Sequence, residues 1–389
     1  MSLLEQVQEK PADPIFGVVK EYKASTHPDK CTLLIGYYRD KNLQTPLLKS
    51  VAEMERRLLE KPYPREYLPI DGDAEFLELT EKLVFGKNDE RICKIQTVGG
   101  TGALFLSGLL AKNWTDQIAI SNETWANHWK IFGQAGLNTS SYPYYGCKEL
   151  AFEKMLDALS KLPEKACILV HTNCHNPTGF DLSHEQWQEL LAVVVKRGLF
   201  PILDMAYQGF GKSLEEDAYG PRLFLEKGVE FALTYTFAKN FSFYGERAGA
   251  LFVVGESKKV ADTVLSQLMS LARGSYSNPP MHPAYVVKGV LQDEKLHKNW
   301  LEELGQMRAR MQKMREAFVE KMQEKNPKGN WGALLGSQGL FCMTGLSKEA
   351  VMQLRKEKGI FIGGEGRINL TGINQMNIDS ITDSIAKAQ

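Results

Sequence analysis

An α/β fold with a largely parallel central sheet flanked by helices, and a smaller α+β domain beside it, is predicted by three features of this 389-residue chain. From residue 93 to residue 254 short apolar runs alternate with amphipathic stretches, the rhythm of strands separated by helices. The runs are apolar almost throughout instead of every second residue, as expected of parallel strands covered on both faces. The length exceeds what one simple core holds, which calls for a large domain with a smaller one, or for two comparable domains.

Taken in order, "MSLLEQVQEKPADPIFG" carries Glu5, Glu9 and Asp13 and lacks the apolar or Arg/Ser-rich character of a signal or transit segment. Strands are predicted at "CKIQTV", "QIAI", "ACILVHT", "LFPILD", "FALTYTF" and "ALFVV". Helices fall between several of them, as in "SHEQWQELLAVVVKRG". Residues 256 to 325 read as mostly helical, with a periodicity too broken for a sustained coiled coil. After "NPKGNWG" come a strand-like "GLFCM", a helical "SKEAVMQLRKEKG" and a strand-like "RINLTG", which form the smaller domain. No repeat or low-complexity tract interrupts the chain.

Composition narrows the function classes. The 47 Lys+Arg balance 47 Asp+Glu, so no overall field draws the chain to nucleic acid or to an anionic membrane. The charged stretch from 293 to 325 interleaves both signs and reads as a solvated helix with one packed stripe. No apolar run approaches the roughly 18 residues of a spanning helix. The six cysteines are scattered without a CxxC pair, as in a reducing, cytoplasmic setting. A soluble intracellular protein is expected.

In open α/β sheets ligands bind beyond the C-terminal ends of the strands, and three features fall there. "PILDMAYQGF" ends a strand at Asp204, with Tyr207 three residues on. "ILVHTNCHNPTGF" holds Asn176 in an Asn-Pro-Thr-Gly turn, and "TFAKN" places Lys239 after the next run. Parallel strands would bring all of them to one edge. A lysine, a carboxylate, a phenol and an amide are what a pyridoxal ring needs. The lysine forms a Schiff base, the carboxylate keeps the pyridine nitrogen protonated, and the phenol and amide bond the ring oxygen. "QTVGGTGALFLSGLLAKN" supplies a phosphate cradle as a strand, a glycine-rich turn and a helix N-terminus, with backbone donors at Gly100, Thr101 and Gly102. It lacks the GxxxxGK of a nucleotide loop. Arg247 can add a charge-assisted contact to the phosphate. His171, Cys174 and His175 invite a metal reading. On an extended segment Cys174 and His175 face opposite sides, and nothing completes a tetrahedral set, so no metal is expected.

The motifs "GGTGAL", "HNPTG", "DMAYQGF", "KNFSFYGERAG", "YSNPP" and "GRINLTG", in this order, resemble the aspartate/aromatic branch of the class I pyridoxal-phosphate aminotransferases over nearly the whole chain. That resemblance implies the fold type I architecture, a homodimer with shared active sites, and pyridoxal 5'-phosphate as cofactor. It implies an N-terminal arm with part of the small domain over 1–45, a large cofactor-binding domain over 46–310 and a small C-terminal domain over 311–389. Lys239 becomes the covalent lysine and the proton shuttle. Asp204 pairs with the pyridine nitrogen, Trp125 stacks on the ring and His128 orients Asp204. Gly100, Thr101, Gly102, Thr236 and Arg247 surround the phosphate, and Tyr67 reaches it from the neighbouring subunit.

Two arginines select the substrate in such a site. Arg367 matches the clamp on the α-carboxylate, assisted by Gly36 and Asn176 with Phe341 beside them. Arg273 matches the arginine that takes the distal carboxylate from the other subunit. The expected reaction moves the amino group between L-aspartate and 2-oxoglutarate, giving oxaloacetate and L-glutamate. The alternatives are an aromatic-amino-acid aminotransferase and, further off, a lyase or decarboxylase on the same fold. Three departures from the family pattern stand out. Thr236 replaces a common serine, Gly245 a frequent asparagine, and Tyr37 a smaller aliphatic residue near the substrate entrance, where it can either narrow the site or favour aromatic substrates.

Overall fold

The computed structural model describes residues 2–389 apart from Ala12, Pro14 and Pro62, so two residues of the "PADPIFG" stretch lie outside the description. The chain begins with α1 (Phe16–Ala24), the two-residue β1 (Cys31–Thr32), α2 (Lys49–Glu60) and α3 (Ala74–Phe85). The sheet region follows as β2 (Ile92–Val98), α4 (Gly99–Ala111), β3 (Gln117–Ser121), α5 (Asn127–Gln134) and β4 (Asn138–Tyr142). A hairpin of β5 (Tyr145–Gly146) and β6 (Glu149–Leu150) leads to α6 (Phe152–Ser160), β7 (Cys167–His171), α7 (His184–Arg197) and β8 (Phe200–Met205). Then come α8 (Leu214–Asp217), α9 (Tyr219–Glu226), β9 (Phe231–Thr236), β10 (Ala248–Val254), α10 (Lys258–Ser275), α11 (Met281–Gln292) and the long α12 (Glu294–Lys325). The chain closes with β11 (Phe341–Met343), α13 (Lys348–Lys358), β12 (Ile360–Phe361), β13 (Arg367–Asn369) and α14 (Ile378–Lys387).

Seven strands form one sheet in the order β2-β10-β9-β8-β7-β3-β4. All neighbours are parallel except β10, which runs antiparallel to both β2 and β9. That reversal sends the chain entering β10 past the same edge at which β2, β7, β8 and β9 end. Residues on each side of the pleat pack into different cores, because successive side chains point to opposite faces. Ile168, Val170, Leu203 and Leu233 join helices α3, α6, α7, α9 and α12 on one face. Cys167, Leu169, Ile202 and Ala232 meet α4, α5 and α10 on the other.

The six strands predicted between residues 93 and 254 all lie in this sheet, and β4 is its one strand the sequence did not announce. Its sequence, Asn-Thr-Ser-Ser-Tyr, is exposed except at Tyr142, as befits an edge strand with a wet flank. A third core lies apart from the sheet and collects Met314, Phe318 and Met322 of α12 with Trp331, Ile368 and Ile385. Leu33 from the N-terminal region joins it, and β1 pairs in parallel with β12. Helix signals behave as their chemistry requires. Ser183 and Gln186 close a capping box at the start of α7, and Gly198 ends that helix in the left-handed region. Among the described residues no helix is long and apolar enough to cross a membrane.

Candidate active site

The registers of β7, β8 and β9 align His171 with Asp204, and Asp204 with Thr234, at the C-terminal edge of three adjacent strands. Beyond them opens a cavity of about 440 Å³ whose wall includes Asn176, Asp204, Tyr207, Lys239, Arg247 and Arg367. Gly36, Gly100, Thr101, Trp125, Thr236 and Phe341, all singled out from sequence, line the same cavity. Residues as distant in sequence as 36 and 367 therefore meet in one place. A roomier cleft of about 890 Å³ beside α7 and α12 holds none of these residues. Its buried carboxyls, Asp181 and Asp217, are already taken by backbone N–H groups of Cys174, His175, Gly209, Gly211 and Lys212.

Asp204 sits at the floor. Thr234 Oγ1 donates to its Oδ1 at 2.8 Å, and His128 Nε2 lies 3.3 Å from its Oδ2. Burial alone would raise this carboxyl, but the hydrogen bond and charge of His128, with His171 and Thr234, outweigh it and hold Asp204 at about 2. His128 is in turn held by Thr124 Oγ1, 2.8 Å from its Nδ1, and it stands behind Asp204 rather than in the cavity wall. The indole of Trp125 meets the His128 ring edge-on at 5.2 Å.

Lys239 is half-buried just past β9, with its ammonium 4.9 Å from the centre of the Tyr207 ring. Burial pushes its pKa down to about 8, Asp204 draws it back up and Arg247 pushes it down further. A fraction of the amine is thus uncharged near neutrality, the form a nucleophile or base requires. Burial raises the Tyr207 phenol and keeps it protonated, with Arg367 opposing the shift.

The glycine-rich stretch differs from its predicted shape in one respect. No separate turn precedes the helix, because α4 begins at Gly99 directly from β2. Gly99 has φ +63, and its N–H donates to the Arg247 carbonyl at 2.8 Å. A Cβ at Gly99 would stand 2.6 Å from Arg247 Nη2, so only glycine lets the guanidinium lie over the helix start. The N–H groups of Gly100 and Thr101 lie in the first turn and lack acceptors within the helix. Gly102 faces away, towards Thr97 and Val98. Arg247 itself has φ +64, a costly conformation for a residue with a side chain, and it is half-buried.

Arg367 occupies the opposite wall. Its Nη1 donates to Asn176 Oδ1 at 2.8 Å and its Nη2 to the Leu34 carbonyl at 2.7 Å. The guanidinium carbon is 4.3 Å from the centre of the Phe341 ring, which also lies against Gly36. Four predicted residues are absent from the cavity wall: His128, which backs Asp204, Gly102, which faces Thr97 and Val98, and Tyr67 and Arg273. Tyr67 is 92 % exposed, and Arg273 is exposed near the end of α10, where it bonds Ser277 Oγ.

Sequence reasoning missed Thr234, His171 and Tyr244. Thr234 lies two residues before Thr236, and period-two alternation would have put both on one side of β9. His171, weighed from sequence as a metal ligand, lines the cavity. Burial drives its pKa down to about 3, with His128 adding to the shift, so its imidazole is neutral at pH 7. His128, His171 and Asp204 bring ligand atoms within 4.8 Å of one another, a different trio from His171, Cys174 and His175.

Comparison with known proteins places this geometry. Residues 28–385 match the family Aminotransferase class I and II. The aspartate aminotransferase of Haemophilus influenzae is 40% identical, with 99% of this chain and 100% of that protein covered. The aromatic-amino-acid aminotransferase of Escherichia coli is 37% identical, with 99% of each chain covered. A crystal structure of the aromatic-amino-acid aminotransferase from Burkholderia pseudomallei, covalently bound to pyridoxal phosphate, superimposes with a TM-score of 0.96 at 38% identity over 100% of both chains.

Proposed function

The chain belongs to the class I and II aminotransferase family, and we propose that within it the protein is an aspartate aminotransferase that exchanges the amino group between L-aspartate and 2-oxoglutarate. The observation that carries this reading is the convergence of a half-buried lysine, a buried carboxylate and a buried arginine on one cavity. Pyridoxal 5'-phosphate is the cofactor, and the residues fit it. Asp204 offers a buried anion for the pyridine nitrogen, Lys239 an amine of about 8 for the aldehyde, and Arg247 with the first turn of α4 a cationic cradle for the phosphate. When bound, the cofactor supplies an electron-withdrawing ring that weakens the bonds at the substrate Cα.

The chain's own residues do the rest. Asp204, charged because His128 and Thr234 hold it so, keeps a proton on the ring nitrogen. Lys239, in the cavity wall, would take up and return the proton at the substrate Cα. Tyr207 and Asn176 would bond the ring oxygen, Trp125 would cover the ring, and Gly100, Thr101 and Thr236 would complete the phosphate site. Arg367 grips the α-carboxylate with two parallel bonds, beside Gly36 and Phe341. Two amino acids and two 2-oxo acids pass through this one site in alternation.

Arg273 and Tyr67 lie outside the cavity of their own chain, and we read them as donated by a second copy. A homodimer with shared sites follows, with Tyr67 on the phosphate and Arg273 on the distal carboxylate of the partner's substrate. The division at residues 45 and 310 goes with this reading, supported by the separate core that Leu33 shares with the C-terminal region. A cytoplasmic setting is supported by six unpaired cysteines.

The visible spectrum of the protein with pyridoxal phosphate tests the proposal. Aspartate alone should bleach the yellow band and 2-oxoglutarate should restore it. A band that aspartate leaves untouched would count against the substrate assignment. Arg273→Gln should lower the ratio of kcat/KM for aspartate to that for phenylalanine by about ten- to a hundredfold, the worth of one charge-assisted carboxylate contact. Equal losses on both substrates would remove Arg273 from the recognition of the distal carboxylate.

A further inference from the structure

We propose that Tyr37 is a specificity-determining residue whose ring forms an aromatic wall of the substrate cavity and favours aromatic amino acids over dicarboxylic ones. The inference rests on the aminotransferase reading of the site and refines its substrate range. A tyrosine at the entrance could do one of two opposite things. It could project across the opening and narrow it, or it could lie back as a surface for a flat side chain to pack on.

The surroundings of Tyr37 decide for the second. Its ring packs at 4.8 Å, tilted by 55°, on the ring of Tyr244, and both line the cavity. Tyr244 is a held support, because it is half-buried and its hydroxyl accepts the Tyr38 N–H at 2.8 Å. The backbone of Tyr37 is equally held, since its carbonyl accepts from Asn369 Nδ2 at 2.7 Å and Thr371 Oγ1 at 3.2 Å. With the ring set against Tyr244, both rings are part of the wall of the 440 Å³ cavity.

The adjoining wall is apolar, built from Ile15, Phe16 and Ile35, and Phe16 is 69 % exposed. Such a wall gives a substrate ring offset or edge-on contacts, and its burial is favourable. It gives a carboxylate nothing in exchange for lost water. The contribution comes from the ring and not from the hydroxyl, so phenylalanine at this position should serve as well.

The test compares wild type, Tyr37→Val and Tyr37→Phe as holoenzymes on phenylalanine and aspartate. Tyr37→Val should lower the phenylalanine-to-aspartate ratio of kcat/KM about tenfold, chiefly through KM for phenylalanine, and Tyr37→Phe should keep the ratio within about twofold. A ratio that stays the same or rises in Tyr37→Val would overturn the proposal, since a narrowing tyrosine predicts a rise. A second readout is independent of turnover. 3-Phenylpropionate and succinate carry no amino group and bind without reacting, so their dissociation constants report on Tyr37 even if the aspartate reaction itself fails. Weakening of 3-phenylpropionate relative to succinate by about tenfold in Tyr37→Val supports the wall, and an unchanged ratio removes it.

Discussion

Lys239→Ala is expected to lower turnover of aspartate by more than about four orders of magnitude while pyridoxal phosphate still binds. Loss of a positioned acid–base group alone costs up to about 10⁴-fold, and in the proposed mechanism this amine is also the nucleophile that holds the cofactor. The retained binding follows from the rest of the cavity: Asp204, Asn176, Tyr207 and Arg247 do not depend on Lys239 for their hydrogen bonds. Stopped-flow spectra with aspartate check the prediction, and turnover within tenfold of wild type would remove Lys239 from both roles. A stability measurement on the cofactor-free protein reads the same residue differently. The folded-state value of about 8 lies below the ordinary 10.5, so the unfolded chain holds the proton more tightly and stability rises with pH between those values. Below pH 8 the half-buried ammonium is a penalty. Lys239→Met should remove it, stabilising the cofactor-free form by an amount on the order of 3 kcal/mol at pH 7. That gain should shrink as the pH approaches 10.5. A gain independent of pH would mean that packing, not charge, is responsible.

What the sequence made legible was whatever depends on one segment and one rule. Asp204, Asn176 and Lys239 could be found because each follows an apolar run that had to be a buried strand, and parallel strands bring their ends together. Arg247 was found from its motif, but not the reason it reaches the same edge, because the antiparallel direction of β10 leaves no mark in "ALFVV". Thr234 was missed because its partnership with Asp204 is a matter of register between β8 and β9, which only the assembled sheet defines. The bond from Arg367 to the Leu34 carbonyl spans 333 positions, and nothing local to either residue announces it. β4 escaped for the opposite reason. Its apolar partner surface is nearly absent, so there was no hydrophobic period to read. Tyr37 shows the limit from another side. Its identity was visible and its effect was not, since a tyrosine narrows or supports a substrate according to what lies behind its ring.

The second large effect is expected at Asp204. Asp204→Asn keeps the shape and removes the charge, and the amide cannot hold a proton on the ring nitrogen. Breaking a buried pair by removing one charge costs about 3–5 kcal/mol, which expressed in the barrier to proton transfer is about 10²- to 10⁴-fold in the rate of that step. The loss should fall on kcat more than on KM, because Arg367 and Asn176, the proposed grip on the substrate, lie on the other wall. Thr234→Val provides the graded control. It leaves the carboxylate and removes only the 2.8 Å hydrogen bond, so it should cost about tenfold and raise the Asp204 pKa. The order of effects carries the test: a Thr234→Val loss as large as that of Asp204→Asn would indicate collapse of the floor rather than loss of a charge. The same reasoning fixes the pH dependence. A carboxyl held at about 2 against an ordinary 3.8 contributes stability above pH 3.8 that fades as the pH falls through 2. Asp204 therefore stays charged across the working range, and any acidic limb in the rate profile above pH 4 belongs to another group. If Asp204→Asn left such a limb in place at reduced height, charge at the floor and proton transfer by Lys239 would be separable functions of two residues on neighbouring strand ends.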